Sequence, residues 1–130
     1  MCEQSISDDE RLFRRIPPGT RWVAPPDRIT SSNFKLCEDE DGISVYRARI
    51  VTAEDVLKKP GAIPGSFLTE ATAGAIRRLS DAVGEPLYLD VVAVADENDP
   101  GHAEIRGLAL RNRSKPAADA LKTLFQRVTV

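Results

Sequence analysis

Proline and glycine breaks are the feature that most limits what this chain can fold into. They occur at Pro17-Pro18-Gly19, Pro25-Pro26, Pro60-Gly61, Pro64-Gly65 and Gly84-Glu85-Pro86. Proline fixes φ and has no amide donor, so neither a helix nor a strand ladder continues through such a pair. The chain also has no internal repeat and no heptad series. These breaks therefore divide it into short segments and favour a small mixed fold.

Four segments have the composition of β-strands. Leu12–Ile16 is a mixture of apolar and basic residues. In Ile43–Val51, Arg47 and Arg49 alternate with Tyr46, Ala48 and Ile50, and we expect these last three to face the core. Leu87–Ala95 is almost continuously apolar, which predicts a central strand covered on both faces. His102–Ala109 resumes the extended pattern after the polar loop Asp96–Gly101, so these two strands are predicted to form a hairpin.

Three segments carry helix signals. Thr52 is a predicted N-cap for Ala53–Lys58, and Thr72 is one for a helix from Ala73 to about Ala82. Ser114 and Pro116 begin a C-terminal helix with one apolar face, formed by Ala117, Ala118, Ala120, Leu121, Leu124, Phe125 and Val128. The order of elements predicts an α+β fold: a small, mainly antiparallel sheet with two or three helices, the C-terminal amphipathic helix packed on the sheet.

Composition and length indicate one soluble domain. Of 130 residues, 42% are hydrophobic and 29% charged, with a formal net charge of -2, so the overall charge does not indicate a polyanion binder. Residues 1–10 are polar and acidic around a single apolar Ile6, which predicts a flexible acidic tail before a single domain over residues 11–130. The acidic start does not resemble an export signal, and no segment is long enough to cross a membrane.

Two cysteines and one histidine provide little for a disulfide framework or a metal site. Cys2 and Cys37 show no C-x-x-C spacing, and a zinc site would need both of them, His102 and a carboxylate. Cys37 is followed by Glu38, Asp39 and Glu40, whose charge disfavours a reactive thiolate. We therefore predict no metal, no cofactor and a reducing, cytoplasmic location.

His102 and Glu104 are the candidate catalytic residues. Residues two apart on a strand point to the same side, and a carboxylate beside an imidazole is suited to acid–base chemistry. The alternative is structural: a histidine hydrogen-bonded to loop backbone beside an exposed glutamate.

Arg14, Arg15, Ser31 and Ser32 are the candidate ligand-binding residues. Arginine presents a planar fork of donors to phosphate or carboxylate, and serine hydroxyls could complete an anion pocket. Alternatively, one arginine lies on each face of the strand and the serines cap a turn.

A basic group precedes and enters the last helix. Its members are Arg106, Arg111, Arg113 and Lys115, which Arg11, Arg14 and Arg15 could extend into a phosphate-binding face. Trp22, Phe34 and Tyr46 are the aromatic residues placed to stack on bases. The acidic runs Asp8–Glu10 and Glu38–Asp41 weigh against nucleic acid, so this group favours a solvated or protein-contacting surface.

Several short motifs resemble those of known bacterial proteins. They are Phe13-Arg14-Arg15-Ile16-Pro17-Pro18, Ser31-Ser32-Asn33-Phe34, Ile43-Ser44-Val45-Tyr46, Thr72-Ala73-Gly74-Ala75-Ile76-Arg77 and Asp99-Pro100-Gly101-His102-Ala103. Together they resemble a group of small, uncharacterised bacterial single-domain proteins. The chain is also similar to ADP-ribosyltransferase patterns, in which a first-strand arginine, a serine and a late glutamate surround NAD. That similarity implies this role for Arg15, for Ser31 or Ser32, and for Glu104.

The distribution of polar residues along the chain favours one function over the others. Side chains that could react are scattered along the chain, whereas the arginine-rich segments and acidic loops offer the charge complementarity of an interface. We therefore expect a non-catalytic protein-binding or accessory module of a bacterial system, with a protein as its partner. One alternative is a small enzyme or nucleotide binder using Arg15, Ser31 or Ser32, His102 and Glu104. The other is a nucleic-acid-binding factor.

Overall fold

A single antiparallel sheet organises the chain. The computed structural model describes residues 6–18, 29–34, 42–59, 62–79, 89–94, 97–107 and 115–128. The strands are β1 (Arg11–Ile16), β2 (Ile43–Arg47), β3 (Phe67–Thr72), β4 (Leu89–Ala93), β5 (His102–Gly107) and β6 (Gln126–Arg127). The helices are α1 (Ala53–Leu57), α2 (Ala73–Arg77) and α3 (Lys115–Leu124), and Ser31–Phe34 forms a 3₁₀ turn. The predicted end of the second helix, near Ala82, lies outside the described residues.

The sheet has the order β4-β5-β2-β1-β3-β6, and every neighbouring pair is antiparallel. The predicted α+β class is confirmed. The predicted hairpin is also confirmed, because β4 pairs with β5 from Leu89 opposite Gly107 to Ala93 opposite Ala103. Within the described sheet, however, β4 lies at one end of the order, so the prediction of a central strand is wrong. Its apolar residues alternate between buried Val91 and half-buried Val92, and Asp90 is exposed.

Strand β3 is a strand that sequence analysis did not predict. It pairs along its whole length with β1, from Arg11 opposite Thr72 to Ile16 opposite Phe67. It then leads directly into α2, because the Thr72 side chain accepts a hydrogen bond from the amide of Ala75 and caps the helix as predicted.

One face of the sheet carries the main hydrophobic core, and we call it the core face. It includes Leu12 and Ile16 of β1, Val45 of β2, and Ile105 of β5. Helices α2 and α3 and the 3₁₀ turn pack there, and the rings of Phe34 and Phe125 lie 5.1 Å apart. The predicted C-terminal helix contributes buried Ala117, Ala118 and Leu121 to this core. No helix within the described ranges is both long and apolar enough to cross a membrane.

The opposite face of the sheet, called the second face, carries a smaller cluster. Phe13 of β1 and Leu68 of β3 are buried there beneath Val56 of α1. Tyr46 of β2 is half-buried beside them. Helix α1 therefore covers the β1–β3 half of this face.

The orientation of β2 is opposite to the one predicted. Ile43, Val45 and Arg47 are buried, Tyr46 is half-buried on the second face, and Ile50 is 41% exposed in the turn beyond the strand. The physical reason is the pairing of Arg47. Its Nε lies 2.5 Å and its Nη2 2.8 Å from the two carboxylate oxygens of Glu10, and both side chains are only 3% exposed. The hydrogen bond to Glu10 raises the pKa of Arg47 above its ordinary value.

Residues 6–10, which precede β1, pack against the rest of the fold. Ile6 is buried in the main core, the amide of Gly74 donates to the carbonyl of Asp8 at 2.8 Å, and Ala73 donates to Glu10 at 3.0 Å. A Cβ at Gly74 would lie 2.9 Å from the Asp8 carbonyl oxygen, so the two backbones approach as closely as glycine allows. The packed region therefore includes residues 6–10, which sequence analysis assigned to the acidic tail because it could not foresee a partner for Glu10.

Arg77 links residues 6–10 to β4. It donates to Asp8 at 2.8 Å, to Asp90 at 2.7 Å and to the carbonyl of Val91 at 3.2 Å. Its hydrogen bonds to the two carboxylates outweigh the effect of burial, so its pKa is raised. The N-terminal segment, α2 and β4 are thereby held together.

Replacing Glu10 with glutamine should destabilise the fold strongly. Glu10→Gln removes the carboxylate charge that the buried Arg47 guanidinium faces, and breaking one side of a buried ion pair costs about 3–5 kcal/mol. Urea unfolding followed by circular dichroism measures this loss. The matched control is Glu54→Gln, whose carboxylate is 71% exposed and contacts Lys58 at 3.8 Å, and a change of under about 0.5 kcal/mol is expected. Equal midpoints for the two variants would show that the buried pair is not a main determinant of stability.

Candidate functional site

His102 and Glu104 lie on the second face, as predicted, but they do not bond to each other. His102 begins β5 opposite Tyr46, and Glu104 lies opposite Ser44. The imidazole Nε2 is 3.0 Å from the Ser44 hydroxyl oxygen, whereas the Glu104 carboxylate accepts from Arg106 at 2.9 Å. The partner of the histidine is therefore a serine on the neighbouring strand, which sequence analysis did not select.

A short network holds the His102 ring. Its centroid lies 5.7 Å from that of Tyr46, and the Lys59 ammonium lies 5.1 Å from the Tyr46 ring centroid. Lys59 in turn donates to the Asp99 carboxylate at 2.6 Å, and the Asp99 carbonyl accepts from the His102 amide at 3.2 Å. Strands β2 and β5, the residues after α1 and the β4–β5 loop thus meet around the imidazole.

Arg14 and Arg15 point to opposite faces of the sheet. Arg14 lies on the core face and donates to the carbonyls of Ser44 and Asn33, both at 2.9 Å. Arg15 lies on the second face and donates to the carbonyl of Val56 at 3.1 Å. This is the arrangement of the alternative interpretation, in which one arginine lies on each face.

The 3₁₀ turn that contains Ser31 and Ser32 lies on the core face, where α3 packs against it. Arg15 and Glu104 lie across the sheet from this turn. The structure therefore brings His102 and Glu104 to one face together with Arg15, but places the backbone of the serine segment on the other face beside Arg14.

The basic group is distributed rather than gathered, as far as its described members show. Arg11 pairs with Glu70 through its Nε at 2.9 Å, and Arg106 pairs with Glu104. Of the aromatic residues named with this group, Phe34 is fully buried and Tyr46 half-buried. Lys115 begins α3, while Arg111, Arg113, Trp22 and Cys37 lie outside the described residues.

Two cavities lie at the end of the sheet near Arg11. One, of about 310 Å³, is lined by Ser7, Asp9, Glu10, Arg11, Ala48 and Arg49. The other, of about 270 Å³, is lined by Arg11, Glu70, Ala71, Thr72, Leu124 and Gln126. Arg11 of the basic group lines both cavities, whereas the candidate residues Arg14, Arg15, His102 and Glu104 line neither. In the described ranges, no three His, Cys, Asp or Glu side chains form a group that could hold a metal ion.

Helix α1 positions both the Arg15 acceptor and Lys59, and it depends on its N-terminal cap. The Asp55 amide donates to the Thr52 hydroxyl at 3.1 Å, and the Thr52 amide donates to the Asp55 carboxylate at 3.2 Å. This reciprocal capping box confirms the predicted N-cap. The hydrogen bond from the Thr52 backbone lowers the pKa of Asp55 below its usual range.

The cap should make stability depend on pH in the acid range. A carboxylate whose pKa is lowered by folding stabilises the native state above its unfolded pKa, and this contribution is lost as pH falls through the folded pKa. Asp55→Asn should therefore be less stable than the native chain at neutral pH, with the difference disappearing in acid. Urea midpoints between pH 2 and 7 measure it. Thr72→Ala is the control, because the cap of α2 contains no carboxylate and the loss of its hydroxyl should cost about 1 kcal/mol throughout. A constant difference for Asp55→Asn would contradict the assignment.

Comparison with protein-family models, with curated proteins and with solved structures finds no match to this chain. The chemistry of the second face is therefore the basis for assigning a function.

Proposed function

We propose that this protein is a protein-binding module that contacts its partner through a strip on the second face. The strip consists of Ser44, Tyr46, Val92, His102, Glu104 and Arg106, all partly exposed. Val92 lies opposite Glu104, which lies opposite Ser44, so the strip crosses β4, β5 and β2. The observation that carries the proposal is this row of aromatic, imidazole and guanidinium side chains on paired strands.

The strip has the chemistry of an interface centre. Tyrosine and arginine are enriched where proteins bind, because each combines a large contact area with a directed polar group. Here Tyr46 is held between the His102 ring and the Lys59 ammonium. Arg106, 42% exposed, is already oriented by Glu104 at 2.8 Å. Side chains that are fixed before binding lose less conformational entropy on association. A small contact surface can then bind its partner more tightly.

The placement of the other candidates supports binding over nucleotide chemistry. A site built from Arg15, Ser31 or Ser32, and Glu104 needs these side chains on one side of the sheet. Arg15 and Glu104 share the second face, but the 3₁₀ turn packs with α3 on the core face. The resemblance to small bacterial proteins supports a further part of the proposal. The protein is an accessory protein of the bacterial cytoplasm, and its partner is another protein.

A charge reversal in the strip should weaken partner binding strongly. Arg106→Glu places a second carboxylate beside Glu104 and should weaken binding at least about 30-fold, since losing one partner of a charge pair buried in an interface costs about 2 kcal/mol or more. Affinity capture from the source cell, followed by calorimetry with the purified partner, measures the effect. The matched control is Arg78→Glu, the same charge change at an exposed residue after α2, which should bind within about twofold of the native chain.

Two results would contradict the proposal. One is an equal effect of Arg106→Glu and Arg78→Glu, or capture that yields no reproducible protein. The other is a concentration-dependent rise in Tm with NAD, ATP or GTP, because a ligand that binds only the native state raises its stability by mass action. That rise would favour the nucleotide-binding alternative.

A further inference from the structure

The pair formed by Ser44 and His102 has the geometry of a nucleophile and its general base. An activated serine has its hydroxyl within hydrogen-bond reach of a general base. The Ser44 Oγ lies 3.0 Å from the His102 Nε2 across adjacent strands. Both residues are partly exposed on the same face, so an incoming molecule can reach the hydroxyl.

The backbone of His102 is bonded on both sides, and an aromatic ring packs on its imidazole. The His102 amide donates to the Asp99 carbonyl at 3.2 Å, and the His102 carbonyl accepts from the Val94 amide at 3.1 Å. The Tyr46 ring packs at 36° to the imidazole, and the Lys59 ammonium lies 5.1 Å from the Tyr46 ring centroid and donates to Asp99. These contacts limit where the imidazole can lie, so Nε2 stays within reach of the Ser44 hydroxyl and the two residues form a serine–histidine dyad.

We propose that Ser44 is a nucleophile toward small carboxylic esters, with His102 as its base. His102 Nε2 takes the hydroxyl proton as Oγ bonds to the ester carbonyl carbon. The carbon–oxygen bond to the leaving group then breaks, and the imidazolium returns its proton to the departing alcohol. Water, deprotonated by the same nitrogen, releases the carboxylic acid from Ser44 and restores the hydroxyl.

The charge beside Ser44 favours an ester with an uncharged acyl group. Ser44 lies on a strand face and Glu104 is directly opposite, held by Arg106. A carboxylate next to the hydroxyl repels anionic substrates, so an uncharged acyl group fits best beside it. An alcohol is also a better leaving group than an amine. The Ser44–His102 pair is therefore better suited to esters than to amides. This inference does not rest on the protein-binding proposal, because it needs no partner.

Covalent labelling tests the nucleophile directly. The full-length protein is treated with an alkyl fluorophosphonate, and intact mass and peptide mapping follow the adduct. We expect a single adduct on Ser44, none in Ser44→Ala, and labelling slowed at least about 100-fold in His102→Gln, the usual loss when a general base is removed. Ser66→Ala is the control, since the Ser66 hydroxyl donates to the Ile63 carbonyl at 2.6 Å away from the strip and its loss should leave labelling unchanged.

Folding is checked by circular dichroism and by a cooperative urea transition for every variant. If His102→Gln proves unfolded, His102→Asn replaces it, because the shorter amide keeps a polar side chain at this position but supplies no basic nitrogen. Absence of an adduct on Ser44, equal labelling of several serines, or a rate independent of His102 would overturn the inference. Partner binding is measured separately, so either proposal can fail without the other.

Discussion

The buried ion pair between Glu10 and Arg47 is the constraint on which much of this structure depends. Both side chains are 3% exposed and meet through two hydrogen bonds. Transferring two charges from water to the protein interior costs desolvation free energy, and only a close, bidentate contact between them offsets it. The pair therefore admits little movement between the start of β1 and the end of β2. The same glutamate accepts from Ala73 through its backbone, so α2 is set against the same point.

This pair also decides which side chains form the strip. Side chains alternate along a strand, so turning one residue inward sets the direction of all the others. With Arg47 on the core face, Val45 and Ile43 lie there too, and Tyr46 and Ser44 must lie on the second face. The contact between Ser44 and His102 follows, because β5 pairs with β2 in a single register. A salt bridge on one face of the sheet thus determines the chemistry of the other.

Short sequence patterns predicted the helix caps and the β4–β5 hairpin correctly, because these features form between residues close together in the chain. Thr52 and Thr72 cap helices because their side-chain oxygens reach amides three residues later. The β4–β5 hairpin has its turn residues and both arms contiguous in the sequence. The orientation of β2 was not predictable in this way, since Arg47 reads as a solvent-facing residue until Glu10, 37 positions earlier, is placed beside it.

The same reasoning explains what was missed at the candidate site. Strand β3 has few local signals and is defined by its pairing with β1. The paired residues are 51 positions apart at Ile16 and Phe67 and 61 apart at Arg11 and Thr72, which no short window contains. Ser44 and His102 are 58 positions apart and meet through strand register. His102 and Glu104 could be placed on one face from their spacing alone, but their actual partners, Ser44 and Arg106, depend on neighbouring contacts.

The edge of the sheet beside the strip indicates how a partner would approach. An exposed edge strand invites pairing with another chain through its free amides and carbonyls. At Val91, however, the amide donates to the Asp90 carboxylate at 2.7 Å and the carbonyl accepts from Arg77 at 3.2 Å. An added strand would have to displace both side chains, and Arg77 is also bound to Asp8. Contact through the side chains of the second face requires no such displacement, so recognition by that face is favoured over strand addition at this point of β4.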